Sequence, residues 1–172
     1  LSVLGLYKAS VKHGTGLVNT HGVRYLTHHG LERALQKWKD ITFLGHSGDF
    51  WVEISGDDKH TGYPAGEPVV PGGRVVELMR KYPNLHGDLS AGSGFIAISR
   101  DRKFGIEFMN EFQDRLYFGQ DICTPDGDMK HSEYLDELLE NGEIRQEVYN
   151  KICWKNAVKL LKLDLTEKDF ML

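Results

Sequence analysis

Short apolar runs alternate with amphipathic stretches along most of the chain. Four runs have the length and composition of buried strands: residues 1–7, 41–46, 84–90 and 115–119. Helical periodicity fills most of the remaining sequence, over residues 30–39, 74–82, 104–112, 132–140 and 144–161. This alternation predicts βα units around a parallel sheet. We therefore expect an α/β fold with four of the eight strands that a closed TIM-type (β/α)8 barrel requires.

Two stretches do not fit the alternation. Residues 8–29 are polar and contain half of the eight histidines, namely His13, His21, His28 and His29. Such a cluster can replace metal ligands, but its spacing matches no standard zinc pattern, so we expect a solvated loop. Residues 55–73 form a long segment rich in proline and glycine. A loop of this length is often functional, and we expect a lid over a binding site.

Composition restricts the class of protein. The 172 residues are 40% hydrophobic and 27% charged, which is typical of one globular domain spanning residues 1–172. No apolar run approaches the ~18 residues of a membrane span. The 21 basic and 25 acidic residues give a net charge of −4 with no basic stripe, which argues against nucleic acid as a partner. Cys123 and Cys153 are too few for a disulfide framework, so we expect a cytoplasmic protein. The chain begins at Leu1 inside an apolar run, so we also expect it to be a fragment.

Ionisable residues follow three of the apolar runs, where a βα barrel places its catalytic groups. His46 can act as a general acid or base, or its ring can simply be satisfied by backbone carbonyls. Asp121 can bind a divalent metal or take a proton from water, or it can cap a strand end. We interpret Asp88 and Ser90 as a helix cap and His86 as a packing residue.

Three sequence segments resemble one family. Phe-Leu-Gly-His-Ser-Gly-Asp-Phe-Trp at residues 43–51 is similar to the sixth strand and loop of the amidohydrolase-2 group, which includes the aminocarboxymuconate-semialdehyde decarboxylase-like enzymes. Residues 82–90 resemble the seventh strand of that group, residues 114–122 the eighth, and residues 149–161 the helix that closes the barrel. The resemblance covers about residues 30–163, and the order and spacing of the segments make it specific.

The resemblance implies the C-terminal portion of a barrel, strands 5–8 with the closing helices, from a metal-dependent hydrolase or lyase. Its substrate would be a small molecule with a carbonyl or carboxylate group, and its cofactor a divalent metal, with zinc as the first candidate. Asp121 corresponds to a metal ligand and His46 to a catalytic histidine beside the metal. The His-x-His pair of the family's first strand does not occur in this sequence, which leaves activity of the truncated form open.

A second hypothesis belongs to another class of function. Four βα units leave two open sheet edges, and open edges favour pairing with another chain. The chain would then be a non-catalytic half-barrel that acts through assembly, as a homodimer or with a complementing chain.

Overall fold

The structure is a computed structural model that describes residues 15–19, 27–57, 67–123 and 129–170. Its strands are β1 (Thr15–Asn19), β2 (Thr42–His46), β3 (Leu85–Asp88) and β4 (Leu116–Tyr117). Its α-helices are α1 (Thr27–Lys37), α2 (Gly48–Trp51), α3 (Arg74–Lys81), α4 (Ala91–Ser99), α5 (Arg102–Glu111), α6 (His131–Glu140), α7 (Gln146–Asn150) and α8 (Asn156–Leu161). Short 3₁₀ turns occupy Val52–Ile54 and Glu167–Phe170, and a π-helical turn at Lys151–Lys155 joins α7 to α8.

The four strands form one parallel sheet in the order β1-β2-β3-β4. Consecutive strands are neighbours, and helices connect them, which is the arrangement of successive βα units in a barrel. The predicted α/β fold with parallel strands is therefore confirmed.

The hydrophobic core lies between one face of the sheet and the helices. Phe43 and Leu85 on that face are buried, and the rings of Phe50 and Trp51 pack over the strands beside them. A Cβ at Gly45 would overlap the ring of Phe50, so only glycine permits this close approach. Phe50 and Trp51 are thus residues of the hydrophobic core. The Trp51 indole Nε1 also donates to the Asp88 carbonyl at 2.9 Å, which fixes the end of β3.

The polar segment at residues 8–29 was predicted wrongly in part. Residues 15–19 form β1, which pairs with β2 along its whole length, and His28 and His29 lie in α1 rather than in a loop. Thr-Gly-Leu-Val-Asn carries too little apolar sequence to reveal a strand by itself, and the backbone pairing with β2 stabilises it. The predicted strand at residues 1–7, His13 and His21 lie outside the described residues.

The C-terminal helices close one edge of the sheet. Arg115 and Tyr117 accept backbone hydrogen bonds from β3, so Leu116 and Phe118 direct their backbone groups to the opposite edge. There the buried Asn156 side chain donates to the Leu116 carbonyl at 2.9 Å, and the Phe118 amide donates to the Ile152 carbonyl in the π-helical turn. A π-helical turn frees carbonyls from the helix, and here one of them covers the edge of β4.

The ends of the long loop at residues 55–73 are held in place. The Gly56 and Val70 backbones are joined by a hydrogen bond of 2.8 Å, and the Val69 amide donates to the Asp101 carboxylate at 3.0 Å. Residues 58–66, its middle, lie outside the described residues, so the lid stays a prediction. Within the described part of the chain, no helix has the length and apolar character needed to cross a membrane.

Candidate functional site

The parallel register brings two ionisable residues side by side at the carboxyl ends of the strands. Phe43 pairs with Leu85 and Gly45 with Gly87, and this register continued by one residue places His46 beside Asp88. The segment that follows β4 returns to the same edge and carries Asp121. His46 and Asp121, both predicted as site residues, therefore lie together, and Asp88 joins them.

His46 lies between two carboxylates. Its Nδ1 is 3.2 Å from Asp88 Oδ2 and 3.4 Å from the hydroxyl of Ser90. Its Nε2 is 3.7 Å from Asp121 Oδ2. The first distance is that of a hydrogen-bonded ion pair, whereas the last exceeds a direct hydrogen bond and leaves room for a bridging atom. The arrangement fixes the ring from one side and presents Nε2 to the other.

Electrostatics favour the charged form of this pair. The hydrogen bond to Asp88 raises the pKa of His46 above its ordinary 6.5, against the opposing effect of burial. Burial raises the pKa of Asp88, but hydrogen bonds from His46 and Ser90 outweigh it and leave that pKa below its usual range. The Asp88 side chain is 27% exposed and that of Asp121 46%, so Asp121 is the carboxylate open to an incoming molecule.

Each strand that reaches the site is followed by a residue in a strained backbone conformation. Ser47 after β2, Ala91 after β3 and Asp121 after β4 have φ values of 80°, 60° and 55°. Positive φ values at residues other than glycine cost about 1–3 kcal/mol each and cluster at functional sites. Their occurrence at three successive strand ends indicates that the surrounding packing determines the backbone at this edge of the sheet.

The segments after β3 and β4 are in close contact. The Ala91 amide donates to the Gln120 carbonyl at 3.1 Å, and a Cβ at Gly119 would lie 2.9 Å from Ser90 Cβ. These segments, with β2 and α8, line an open pocket of about 510 Å³. Its polar lining residues include His46, Asp88, Ser90, Gln120 and Asp121, and its apolar lining residues include Leu44, Ala157, Leu160 and Leu161. Such a mixed lining suits a small molecule with both polar and apolar groups.

His86 lies on the same face of the sheet, farther from the strand ends. Its Nδ1 is 2.6 Å from the hydroxyl of Tyr117, and the two rings are stacked. Burial, aided by the charge of Arg115, lowers the pKa of His86 to about 4, so its ring is neutral near pH 7. Its interpretation as a packing residue is consistent with these contacts.

The side chains at this site are too few to hold a zinc ion by themselves. A structural or catalytic zinc ion takes three or four protein ligands. Among the described residues there is no group of three or more His, Cys, Asp or Glu side chains able to hold a metal ion. His46 and Asp121 alone do not fit such a site, so a metal here would need ligands from outside the described residues.

The interpretation of Asp88 and Ser90 as a helix cap does not account for their contacts. Ser90 occupies the N-cap position of α4, but its side chain makes no capping hydrogen bond. Its amide instead donates to Asp88 Oδ1 at 2.9 Å, and its hydroxyl faces His46. The proximity of Asp88 to His46 follows from the strand register and not from local sequence, because the two residues are 42 positions apart. His131, which holds the backbone on both sides of Ser90, carried no sequence signal that would identify it.

Comparison with known proteins gives two matches. The sequence model of a family described as amidohydrolase matches residues 24–163 of this chain. An uncharacterized TIM-barrel protein from Bordetella bronchiseptica has a similar crystal structure, with a TM-score of 0.57 and 17% sequence identity. The match covers 93% of this chain and 50% of that protein, so the chain spans half of that barrel's length. No curated protein matches the sequence.

Proposed function

Because the chain belongs to the amidohydrolase family, we propose that it provides the proton-transfer residues of a hydrolase or decarboxylase. The substrate would be a small molecule with a carbonyl or carboxylate group. The observation that supports this is the position of His46 between Asp88 and Asp121 at the carboxyl ends of the strands. Active sites of this barrel type lie at that edge.

His46 is the proposed acid. With Asp88 holding Nδ1, the charged ring directs its Nε2–H to the pocket, where it donates a proton to the substrate. In a decarboxylation, the electron pair of the broken C–C bond stays on the substrate carbon, and this proton is added there as carbon dioxide leaves. In a hydrolysis, the same proton goes to the leaving group, while Asp121 accepts a proton from the attacking water.

A divalent metal, zinc in the first place, is a further part of the proposal. The family uses a divalent metal, and Asp121 is the residue of this chain that we propose as a ligand. Because the described residues complete no metal site, the remaining ligands must come from elsewhere in the assembled barrel. The roles of His46 and Asp88 given above depend on no metal.

The test is a panel of small aromatic and aliphatic carboxylates and cyclic amides, assayed for carbon dioxide release and for hydrolysis. A general acid contributes about 10²–10⁴-fold to the rate, so His46→Gln should lower turnover by that factor. Glu111→Gln, which breaks a surface ion pair with Arg80, is the control and should leave turnover unchanged. Absence of turnover with every compound, or full turnover by His46→Gln, would contradict the proposal.

Assembly into a larger barrel is a second candidate function. Among the described strands, β1 has a neighbour on one side alone, and the chain spans half of a known barrel. The C-terminal segment exposes Leu161, Leu163 and Leu165, which are 59%, 45% and 41% accessible. An open strand edge and exposed apolar side chains each favour an interface with a homodimer partner or a complementing chain.

The edge of β4 is already covered, which limits where the strand of a partner can pair with the sheet. Asn156 and Ile152 already occupy the backbone groups of Leu116 and Phe118, so an added strand pairs at β1 unless the C-terminal helices move. Light scattering should show a dimer at micromolar concentration, weakened by Leu163→Glu and unaffected by Val70→Glu at an exposed apolar site elsewhere. A monodisperse monomer would contradict self-assembly and leave a complementing chain as the partner to test.

A further inference from the structure

His131 lies behind the site and holds the segment that links β3 to α4. It is the first residue of α6, and it is only 1% exposed. Its Nε2 is 2.8 Å from the Leu89 carbonyl oxygen and 3.1 Å from the Ala91 carbonyl oxygen. These two carbonyls flank Ser90, so a single side chain contacts the backbone on both sides of that residue.

The partners of His131 determine its protonation state. Carbonyl oxygens only accept hydrogen bonds, so Nε2 must carry the hydrogen. Burial lowers the pKa of His131, and the rings of Phe95 and Phe118 lie 5.2 Å and 6.4 Å from its ring. The ring is therefore neutral, with Nδ1 unprotonated. Among the described residues Nδ1 is buried without a hydrogen-bond partner, so the polar contacts of this histidine all serve the Leu89–Ala91 segment.

The backbone that His131 holds is strained and connects two parts of the site. Ala91 has a φ of 60°, which an alanine adopts only under constraint. Its amide donates to the Gln120 carbonyl next to Asp121, and the preceding Ser90 amide donates to Asp88. Release of this turn would loosen both carboxylates that face His46.

We propose that His131 is a positioning residue, whose Nε2–H holds the Ser90–Ala91 turn so that Asp88 stays aligned with His46. Its importance for catalysis rests on the proposed function. Its effect on the backbone does not, because the contacts of Leu89 and Ala91 exist whatever the substrate is.

The test compares three variants by NMR. His131→Phe keeps an aromatic ring among Phe95 and Phe118 but removes the donor, whereas His131→Gln keeps a donor near the position of Nε2. Tyr134→Phe is the matched control, because it removes another hydrogen bond from α6 to α4, the one to the Ile98 carbonyl at 3.0 Å. The one-bond Cα–Hα coupling and Cα shift of Ala91 report its left-handed backbone, and amide exchange reports its bond to Gln120.

In His131→Phe, we expect Ala91 to lose the left-handed signature and its amide to exchange about tenfold faster. His131→Gln and Tyr134→Phe should both resemble the unmodified protein. An unchanged Ala91 in folded His131→Phe, or an equal change in Tyr134→Phe, would overturn the proposal. If His131→Phe does not fold, the ¹⁵N shifts of His131 in the unmodified protein decide, since an Nδ1–H tautomer is incompatible with these contacts. None of these measurements requires turnover, so a failure of the proposed function would be recognised separately.

Discussion

Replacing Gly119 with alanine tests the close contact between the segments that build the site. The added methyl group would lie 2.9 Å from Ser90 Cβ and 3.6 Å from Asp88 Oδ1. Carbon atoms in contact are separated by about 3.5–4.0 Å, so the two segments must move apart by roughly 0.6–1.1 Å. The hydrogen bond between the Ala91 amide and the Gln120 carbonyl, now 3.1 Å long, would stretch or break.

Moving the two segments apart lowers the free energy of unfolding. Overpacking in a well-packed region destabilises a protein by about 1–3 kcal/mol, and we expect Gly119→Ala to fall in that range. Gly92→Ala is the matched control, because a Cβ at this exposed position in α4 meets no atom within 4 Å. There the lower entropy of the unfolded chain should stabilise the protein by about 0.4–1 kcal/mol.

Urea unfolding followed by circular dichroism measures both free energies of unfolding. We expect the two alanine variants to change the free energy of unfolding in opposite directions. If Gly119→Ala is as stable as the unmodified protein or as Gly92→Ala, the segments after β3 and β4 are not packed as described, and the geometry around Asp88 fails with them.

Three further predictions concern charge, the C-terminal helices and metal. The folded-state pKa of His46 is raised, so its contribution to stability is complete below the unfolded-state pKa of 6.5 and is lost as the pH rises through the folded-state pKa. The folded-state pKa of Asp88 is lowered, so its contribution to stability is complete above the unfolded-state pKa of 3.8 and is lost as the pH falls through the folded-state pKa. Asp88→Asn should therefore lower the free energy of unfolding by about 1–2 kcal/mol near pH 5 and by less near pH 9, and an equal loss at both would contradict the ion pair. Asn156→Leu leaves the Gln113 and Leu116 carbonyls unpaired and should cost about 2–5 kcal/mol in urea unfolding, whereas the exposed Gln146→Leu control should cost under about 0.5. Mass spectrometry of the chain purified without chelators tests Asp121 as the proposed ligand: zinc retained by the unmodified chain should be lost on Asp121→Ala, and a stoichiometric ion that Asp121→Ala retains would contradict that role.

Much of the fold was predictable from the sequence. The three strands β2, β3 and β4 coincide with apolar runs, and α3, α5 and α6 follow amphipathic spacing to within a few residues. β1 was missed because its five residues contain only Leu17 and Val18 as large apolar side chains, and a strand this short depends on its neighbour. The π-helical turn within the last predicted helix also left no pattern in the sequence.

The candidate site was predictable only in part. His46 ends one apolar run and Asp121 lies two residues after another, and such positions indicate catalytic residues in a βα barrel. Asp88 shares that position, but a serine two residues later made a helix cap the simpler interpretation. The decisive fact is the register between β2 and β3, which no local pattern encodes. The role of His131 could not be predicted from the sequence for the same reason, since its hydrogen-bond partners are 40 and 42 residues away.

The most direct test of the account is an NMR titration of His46 in the unmodified protein and in Asp88→Asn, with chelator present. We expect the pKa of His46 to lie above the ordinary 6.5 and to fall in Asp88→Asn, because the hydrogen bond to Asp88 is the main cause of the raised pKa. A His46 that titrates at or below 6.5, or that is insensitive to Asp88→Asn, would contradict the claim that this edge of the sheet is built for proton transfer.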